Sequence, residues 1–291
     1  AGTEEQKEKY LYPCIRGEKW DCLAMTEPGA GSDLRGMKAT ARKDGDDWIL
    51  NGTKHFISHA DIADFSIVFM ATGEEDTPRG PKKKITAFFV DKGTPGFTIR
   101  DGYKSVSHRG YKNMILEFDD CRLSDAQVLG EVDGGIKVMA ASLELEHSGG
   151  GFARNIRAIA KAAETLCRDI TLDGTPLIET PDAVSRLARS MTHVFLSEVI
   201  SDFAMWAGVA KIPNQGYGPM GKLFSSEKFL TDARDLLDLT APHSLADRKG
   251  PAHVLNEGYR HAQGTTIYGG TSEVHRSMIA ERALGLPRSR G

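Results

Sequence analysis

Two glutamates in the stretch Leu143-Glu144-Leu145-Glu146-His147 differ in helical phase. At about 100° per residue, Glu146 falls with Met139, Leu143 and Gly150 on the flank of an apolar stripe. Glu144 falls with Lys137, Ala141 and Ser148 on the wetter side. Loss of water raises a carboxylate's pKa and suits it to take a proton, so Glu146 is the candidate general base. Gly149, Gly150 and Gly151 follow at once. Each weakens a helix by roughly 1 kcal/mol relative to alanine, and a bulky group lying against that helix would account for them. On periodicity alone, half of an ordinary interhelical ion pair accounts for Glu146 better than a base does.

A second constellation is Thr266-Ile267-Tyr268-Gly269-Gly270-Thr271-Ser272-Glu273. Two glycines, then Thr and Ser, then a helix form a nest of N–H groups suited to a phosphate or a carbonyl oxygen. A plain helix–turn–helix, with Thr271 or Ser272 as N-cap and Gly269 as C-cap, explains the same residues equally well. A third is Leu23–Asp33, an apolar strand running into a Gly/Pro turn, where Thr26, Ser32 and the N–H groups near Gly29 and Gly31 can converge on one ligand. Gly29-Ala30-Gly31 begins a G-x-G pattern, but the third glycine would fall at Leu34, so a dinucleotide loop of the Rossmann type is a weak match. His55 and His59 lie four apart with no third ligand near, and no metal site is expected.

These residues need elements to hold them. Met37–Arg42, Asp47–Asn51, Ser66–Ala71, Ile85–Asp91, Phe97–Arg100 and Met114–Phe118 are short β-rich runs separated by turn residues such as Asp44-Gly45 and Asn51-Gly52. Their spacing predicts an antiparallel sheet or small barrel. Glu74–Lys84 is polar and is expected to be a solvated loop. From Gly134 the pattern is helical: Asn155–Arg168, Pro181–Lys211, Lys222–Leu239, Val254–His261 and Glu273–Leu284, with loops at Leu172–Thr180, Ile212–Pro219 and Ser244–Ala252. The fold class is therefore α+β, a β block followed by a helix bundle, not alternating βαβ units. Thr3 and Gln6 fit a capping box at the start of a first helix.

The chain of 291 residues is long enough for one large domain or two smaller ones, and its net charge of −3 offers no general attraction for nucleic acid or anionic membrane. No apolar run reaches the length of a membrane span. Cys14, Cys22, Cys121 and Cys167 are widely spaced without a C-x-x-C pair, which points to free buried thiols in a reducing compartment. A cytoplasmic protein, or a mitochondrial-matrix one if eukaryotic, is expected.

Six segments taken together resemble the acyl-CoA dehydrogenase family: Met25–Asp33, Leu50–Ser58, Phe88–Phe97, Leu116–Asp120, Leu129–Gly135 and Ile267–Arg288. The resemblance runs over nearly the whole chain. It implies a remnant of an N-terminal helical domain at 1–20, a middle β domain at 21–130 and a C-terminal four-helix domain at 131–291. It implies FAD as cofactor and α,β-dehydrogenation of an acyl-CoA thioester, with electron-transferring flavoprotein as the usual electron acceptor and a homo- or hetero-oligomer as the assembly. Carried residue by residue, it sets Leu23, Met25 and Thr26 at the edge of the flavin ring. Ser32 falls at the flavin phosphates or the pantetheine arm of the substrate. Phe56 stands where the family often has Trp, and Ser58 where it often has Thr. Thr271 and Glu273 fall on the cofactor side of the Gly-Gly turn, and Gly150 at the acyl chain.

Many members carry the base as the Glu of a Y-E-G-T motif. That position is Gly269 here, which retains only its backbone N–H to polarise the thioester carbonyl. Other branches carry the base in a stretch like L-D-L-E-R, and this lands on Glu146. Helix phase and family position thus agree on Glu146. The family's R-x-x-F-G segment is present only as Arg168–Gly174, without the Phe. That departure keeps a second reading in view, a noncatalytic or half-site subunit of a heteromeric acyl-CoA dehydrogenase. A NAD-binding oxidoreductase fails on Leu34 and on the antiparallel strand pattern.

Overall fold

The computed structural model describes residues 1–78, 80–140, 151–213, 216–246 and 249–287. They divide into two compact units, Ala1–Ser142 and Leu143–Gly291.

The first unit opens on a helical segment, residues 4–15 (α1), whose Lys7–Leu11 turn is π-helical. The Thr3 hydroxyl accepts from the Gln6 N–H and the Gln6 side chain accepts from the Thr3 N–H, the capping box expected from sequence. The Gln6 amide also donates to the carbonyls of Ala126 and Val128, and the Tyr10 ring stacks on Phe89 at 4.1 Å. These contacts tie α1 to the sheet.

Eight strands follow: β1 Asp21–Ala24, β2 Thr40–Asp44, β3 Asp47–Ser58, β4 Phe65–Thr77, β5 Gly80–Asp91, β6 Phe97–Tyr103, β7 Asn113–Ser124 and β8 Val128–Leu129. The sheet runs β6-β7-β3-β2-β4-β5-β8, with β1 added in parallel along β4. The hairpin pairs β2–β3, β4–β5 and β6–β7 are antiparallel. Alternation along each strand sends one set of side chains into a core of Ala24, Trp48, Leu50, Val68, Phe88, Leu116 and their neighbours.

The polar stretch at 74–84 is solvated, but it is not a loop. β4 and β5 continue through it as a hairpin, because Glu75 faces Lys82 and Glu74 faces Lys83 across the ladder and both pairs form ion pairs. Opposite charges on facing strand positions stabilise pairing without needing burial.

The second unit contains α2 Gly151–Asp169, α3 Pro181–Val209, α4 Tyr217–Leu239, α5 Gly250–Thr265 and α6 Ser272–Arg282. α2 to α5 pack around Ile156, Ile159, Val194, Phe229, Leu236 and Leu255, which gives the helical half of the α+β fold. α5 approaches α2 closely at Gly258, where a Cβ would lie 2.4 Å from Ile159 Cγ2. α3 is capped by Thr180, with Pro181 in its first turn. The expected loop at 212–219 is shorter than the sequence suggests: α4 already begins at Tyr217, because a proline such as Pro219 is tolerated in a first helical turn. The loop at 244–252 likewise contains a helical turn at His243–Ala246 and the start of α5. The connector at 172–180 folds as a small hairpin of Thr171–Leu172 with Thr175–Pro176, turned at Asp173-Gly174. Among the described residues no helix is long and apolar enough to cross a membrane.

Candidate functional site

In the first unit the site grows from the loop after β1. Met25 and Thr26 are half-buried. Glu27–Ala30 is a tight turn closed by two backbone hydrogen bonds, Glu27 N to Ala30 O at 2.9 Å and Ala30 N to Glu27 O at 3.1 Å. The Glu27 side chain turns inward, only 4% exposed, and pairs at 2.7 Å with the Lys54 ammonium, which is fully buried. Lys54 Nζ also donates to the Met25 carbonyl at 3.2 Å. The Glu27 carboxylate accepts from the N–H groups of Lys38 at 2.7 Å and Ala39 at 3.2 Å. One residue further along β3, the His55 N–H donates to the Thr26 carbonyl at 2.9 Å. Burial pulls the Lys54 pKa down and the hydrogen bond and charge of Glu27 push it back up. Burial likewise lowers His55.

β3 bulges beside this loop. Its register against β7 shifts between Lys54 and Ile57, and Phe56 takes a positive φ of 56°. An aromatic residue does not adopt that region without cost, so the bulge is imposed by its surroundings. It leaves the Phe56 ring half-exposed, 4.4 Å from that of Tyr103, whose hydroxyl shares a 3.2 Å hydrogen bond with His55 Nδ1. Ser58 Oγ donates to Asn113 Oδ1.

The glycines of the loop have no internal justification. Gly29 and Gly31 are absent from the positive-φ positions, and among the described residues a Cβ would meet nothing within 4 Å at Gly29 and only the Thr26 methyl, at 3.9 Å, at Gly31. Their surface is open for something outside the chain to come close.

In the second unit the Gly-Gly turn links α5 to α6. Gly269 and Gly270 have φ of 61° and 88°, and a Cβ on Gly270 would lie 2.7 Å from His275 Nε2. The buried Lys222 ammonium on α4 donates to the carbonyls of Thr265 at 2.7 Å and Gly270 at 2.8 Å. His275 Nε2, on α6, lies 3.0 Å from the Gly269 carbonyl. Both glycine carbonyls are thus drawn inward. In a trans peptide the N–H points opposite the C=O, so the N–H groups of Gly270 and Thr271 are turned to the other side. The Thr271 hydroxyl accepts from the Val274 N–H as N-cap of α6. Glu273 folds back on its own N–H and the Thr271 hydroxyl, which lower its pKa. Beside the turn, Tyr268 OH lies 3.2 Å from His261 Nε2, and His261 Nδ1 lies 3.3 Å from Asn155 Nδ2.

Residues 22–121 match the model of the acyl-CoA dehydrogenase middle domain, and residues 133–284 that of the acyl-CoA dehydrogenase C-terminal domain. The chain belongs to the acyl-CoA dehydrogenase family. Human short-chain specific acyl-CoA dehydrogenase is 31% identical over 99% of this chain and 68% of that protein. The acryloyl-CoA reductase (NADH) of Anaerotignum propionicum is 32% identical over 97% of this chain and 71% of its own length. The butyryl-CoA dehydrogenase structure from Megasphaera elsdenii superposes with a TM-score of 0.88 at 26% identity, covering 97% of this chain and 72% of that one. Acyl-CoA dehydrogenases are FAD-dependent oxidoreductases acting on CH–CH bonds.

As a member of the acyl-CoA dehydrogenase family, the chain carries its motif residues in two local groups. Leu23 lies on β1 beside β4, Met25 and Thr26 follow on the loop, and the Thr26 carbonyl is held by the His55 N–H next to the Phe56 bulge; Ser32 is exposed further along the loop, and Ser58 ends β3. Gly269, Thr271 and Glu273 share the turn into α6. Glu146 and Gly150 lie outside the described residues. Sequence reasoning missed the Lys54–Glu27 pair, Tyr103, Lys222 and His275. The pair had a visible signal: period two along β3 puts Lys54 on the same face as Trp48 and Leu50, and a lysine on a core face needs an anionic partner.

Proposed function

We propose that this chain, carrying FAD, removes the α and β hydrogens of an acyl-CoA thioester to give the 2-enoyl-CoA. The observation that carries this reading is the group made by Thr26, Phe56 and the open surface of Gly29 and Gly31. It combines an anchored loop backbone, a half-exposed aromatic on a strained bulge and two glycines whose missing Cβ leaves open space among the described residues. A planar ring with a phosphate tail fits such a surface.

Leu23, Met25 and Thr26 border the ring, Phe56 packs on it, and Ser58 and Ser32 offer hydroxyls to its polar edge and to a phosphate or the pantetheine arm. Thr271 and Glu273 contribute by fixing the start of α6 on the cofactor side of the turn. When bound, FAD supplies at N5 the acceptor for the hydride from the β carbon. Glu146 takes the α proton on its carboxylate. The Gly269 N–H polarises the thioester carbonyl and so acidifies that proton. Gly150 leaves room for the acyl chain. Electron-transferring flavoprotein is the proposed electron acceptor. The exposed apolar face of α3, with Val184, Met191, Phe195, Val199 and Trp206, suits packing against another chain in an oligomer. Cys22, Cys121 and Cys167 are free and buried, in keeping with a cytoplasmic or matrix setting where thiols stay reduced.

The test is a visible spectrum. The purified protein is expected to be yellow and to bleach anaerobically on addition of an acyl-CoA. Bound flavin that no acyl-CoA from a chain-length and branched series bleaches would favour the noncatalytic subunit instead. Gly29→Ala and Gly31→Ala supply a second check. Because the new methyl meets nothing that must move, the melting temperature is expected to hold, with a stability change within about 0.5 kcal/mol. FAD retention is expected to fall. Retention equal to the parent's in both variants would place the cofactor elsewhere.

A further inference from the structure

We propose that Lys54 and Glu27 are positioning residues for the Met25–Thr26 peptide, holding its N–H toward the flavin edge and strengthening it as a donor. The inference rests on the FAD reading above and extends it to two side chains that do not themselves face the open surface.

The pair is buried on both sides, at 0% and 4% exposure. Charges there cost more desolvation than a well-packed apolar pair of similar volume, so stability alone does not explain them. What they do locally is specific. Lys54 Nζ spans the Glu27 carboxylate and the Met25 carbonyl, while the other contacts of that carboxylate bind the backbone at Lys38 and Ala39. The next carbonyl, that of Thr26, is held by the His55 N–H. Two successive carbonyls are therefore fixed to the same stretch of β3, which leaves the intervening peptide a single orientation. Its C=O points at an ammonium, so its N–H, that of Thr26, points the opposite way. Hydrogen bonding of a carbonyl to a cation in a low-dielectric interior also polarises the peptide and makes the opposite N–H a stronger donor. An apolar pair could fill the space but could not aim or polarise that peptide.

The experiment uses the FAD-loaded protein and the double variant Glu27→Gln/Lys54→Met, which removes both charges together so that neither is left unpaired. Glu27→Asp, which keeps the charge and shortens its reach, is measured in parallel and remains informative if the double variant does not fold. The readouts are the position and shape of the visible band of bound flavin, and kcat and KM per bound flavin. The expected result is a shifted band in both variants. In the double variant, kcat per bound flavin falls by roughly tenfold to a hundredfold with KM little changed, the scale of a small misplacement of reacting groups. A residue pair that only stabilised the fold would lower flavin occupancy and leave the band and kcat per bound flavin as in the parent; that result in the folded variants overturns the inference. A parent chain that takes up no FAD overturns the inference together with the FAD reading, whereas a parent that binds FAD beside indistinguishable variants overturns the positioning role alone.

Discussion

Glu146→Gln is expected to lower turnover on an acyl-CoA by about 10²–10⁴-fold, the usual contribution of a general base. The substitution preserves size and removes the carboxylate that, in the proposed mechanism, holds the α proton. FAD content and the melting temperature are expected to stay close to the parent's, because an amide has nearly the same size and shape as the carboxylate it replaces. Stopped-flow bleaching of the flavin by substrate isolates the step: its rate should fall with kcat, while the amplitude of substrate binding persists. The assignment carries weight because position 269, where other branches of the family keep a glutamate, is glycine here, with a positive φ that an acidic side chain would adopt only at a cost. Unchanged bleaching in Glu146→Gln would remove the residue from the mechanism.

The second large effect concerns stability. Lys54→Met alone leaves the Glu27 carboxylate buried, with two backbone N–H groups but no cation; Glu27→Ala alone strands a fully buried ammonium. Breaking one side of a buried pair costs about 3–5 kcal/mol, whereas replacing both partners is often neutral or better. Urea denaturation of the two single variants and the double variant Glu27→Gln/Lys54→Met forms a cycle in which the single losses should greatly exceed the double loss. Glu27→Ala should be the more damaging single change, since the carboxylate left by Lys54→Met still keeps its backbone donors. Additive losses would show that the two side chains act independently.

Much of the β unit was legible because alternation is a short-range signal. Trp48, Leu50 and Lys54 share one face of β3 by counting in twos, and all three are buried. The helices were legible from their apolar spacing, and their ends less so: Pro219 marks a break in many contexts but sits inside the first turn of α4. Glu74–Lys84 was misread as a loop because its polarity is local information, while its pairing depends on the charge opposite each residue across a turn. The site divided in the same way. Motif residues such as Thr26, Phe56 and Gly269 could be named from sequence, but the bulge at Phe56 could not. It arises from a mismatch in register between β3 and β7, two strands that meet only after the chain has folded, and no residue type near position 56 announces it. Lys222 and His275 escaped for a similar reason: each serves a backbone carbonyl, and carbonyls have no sequence signature.

That bulge sets two kinds of selection against each other. A non-glycine residue held in the left-handed region forgoes about 1–3 kcal/mol that a glycine at the same place would recover. A stability-guided redesign, blind to ligands, would therefore single out Phe56 for replacement. It would return a sturdier strand from which the half-exposed ring had been erased. With Phe56 in its proposed place at the flavin, position 56 is where improvement by thermal screening and retention of activity would diverge, the aromatic standing there against the preference of its own backbone.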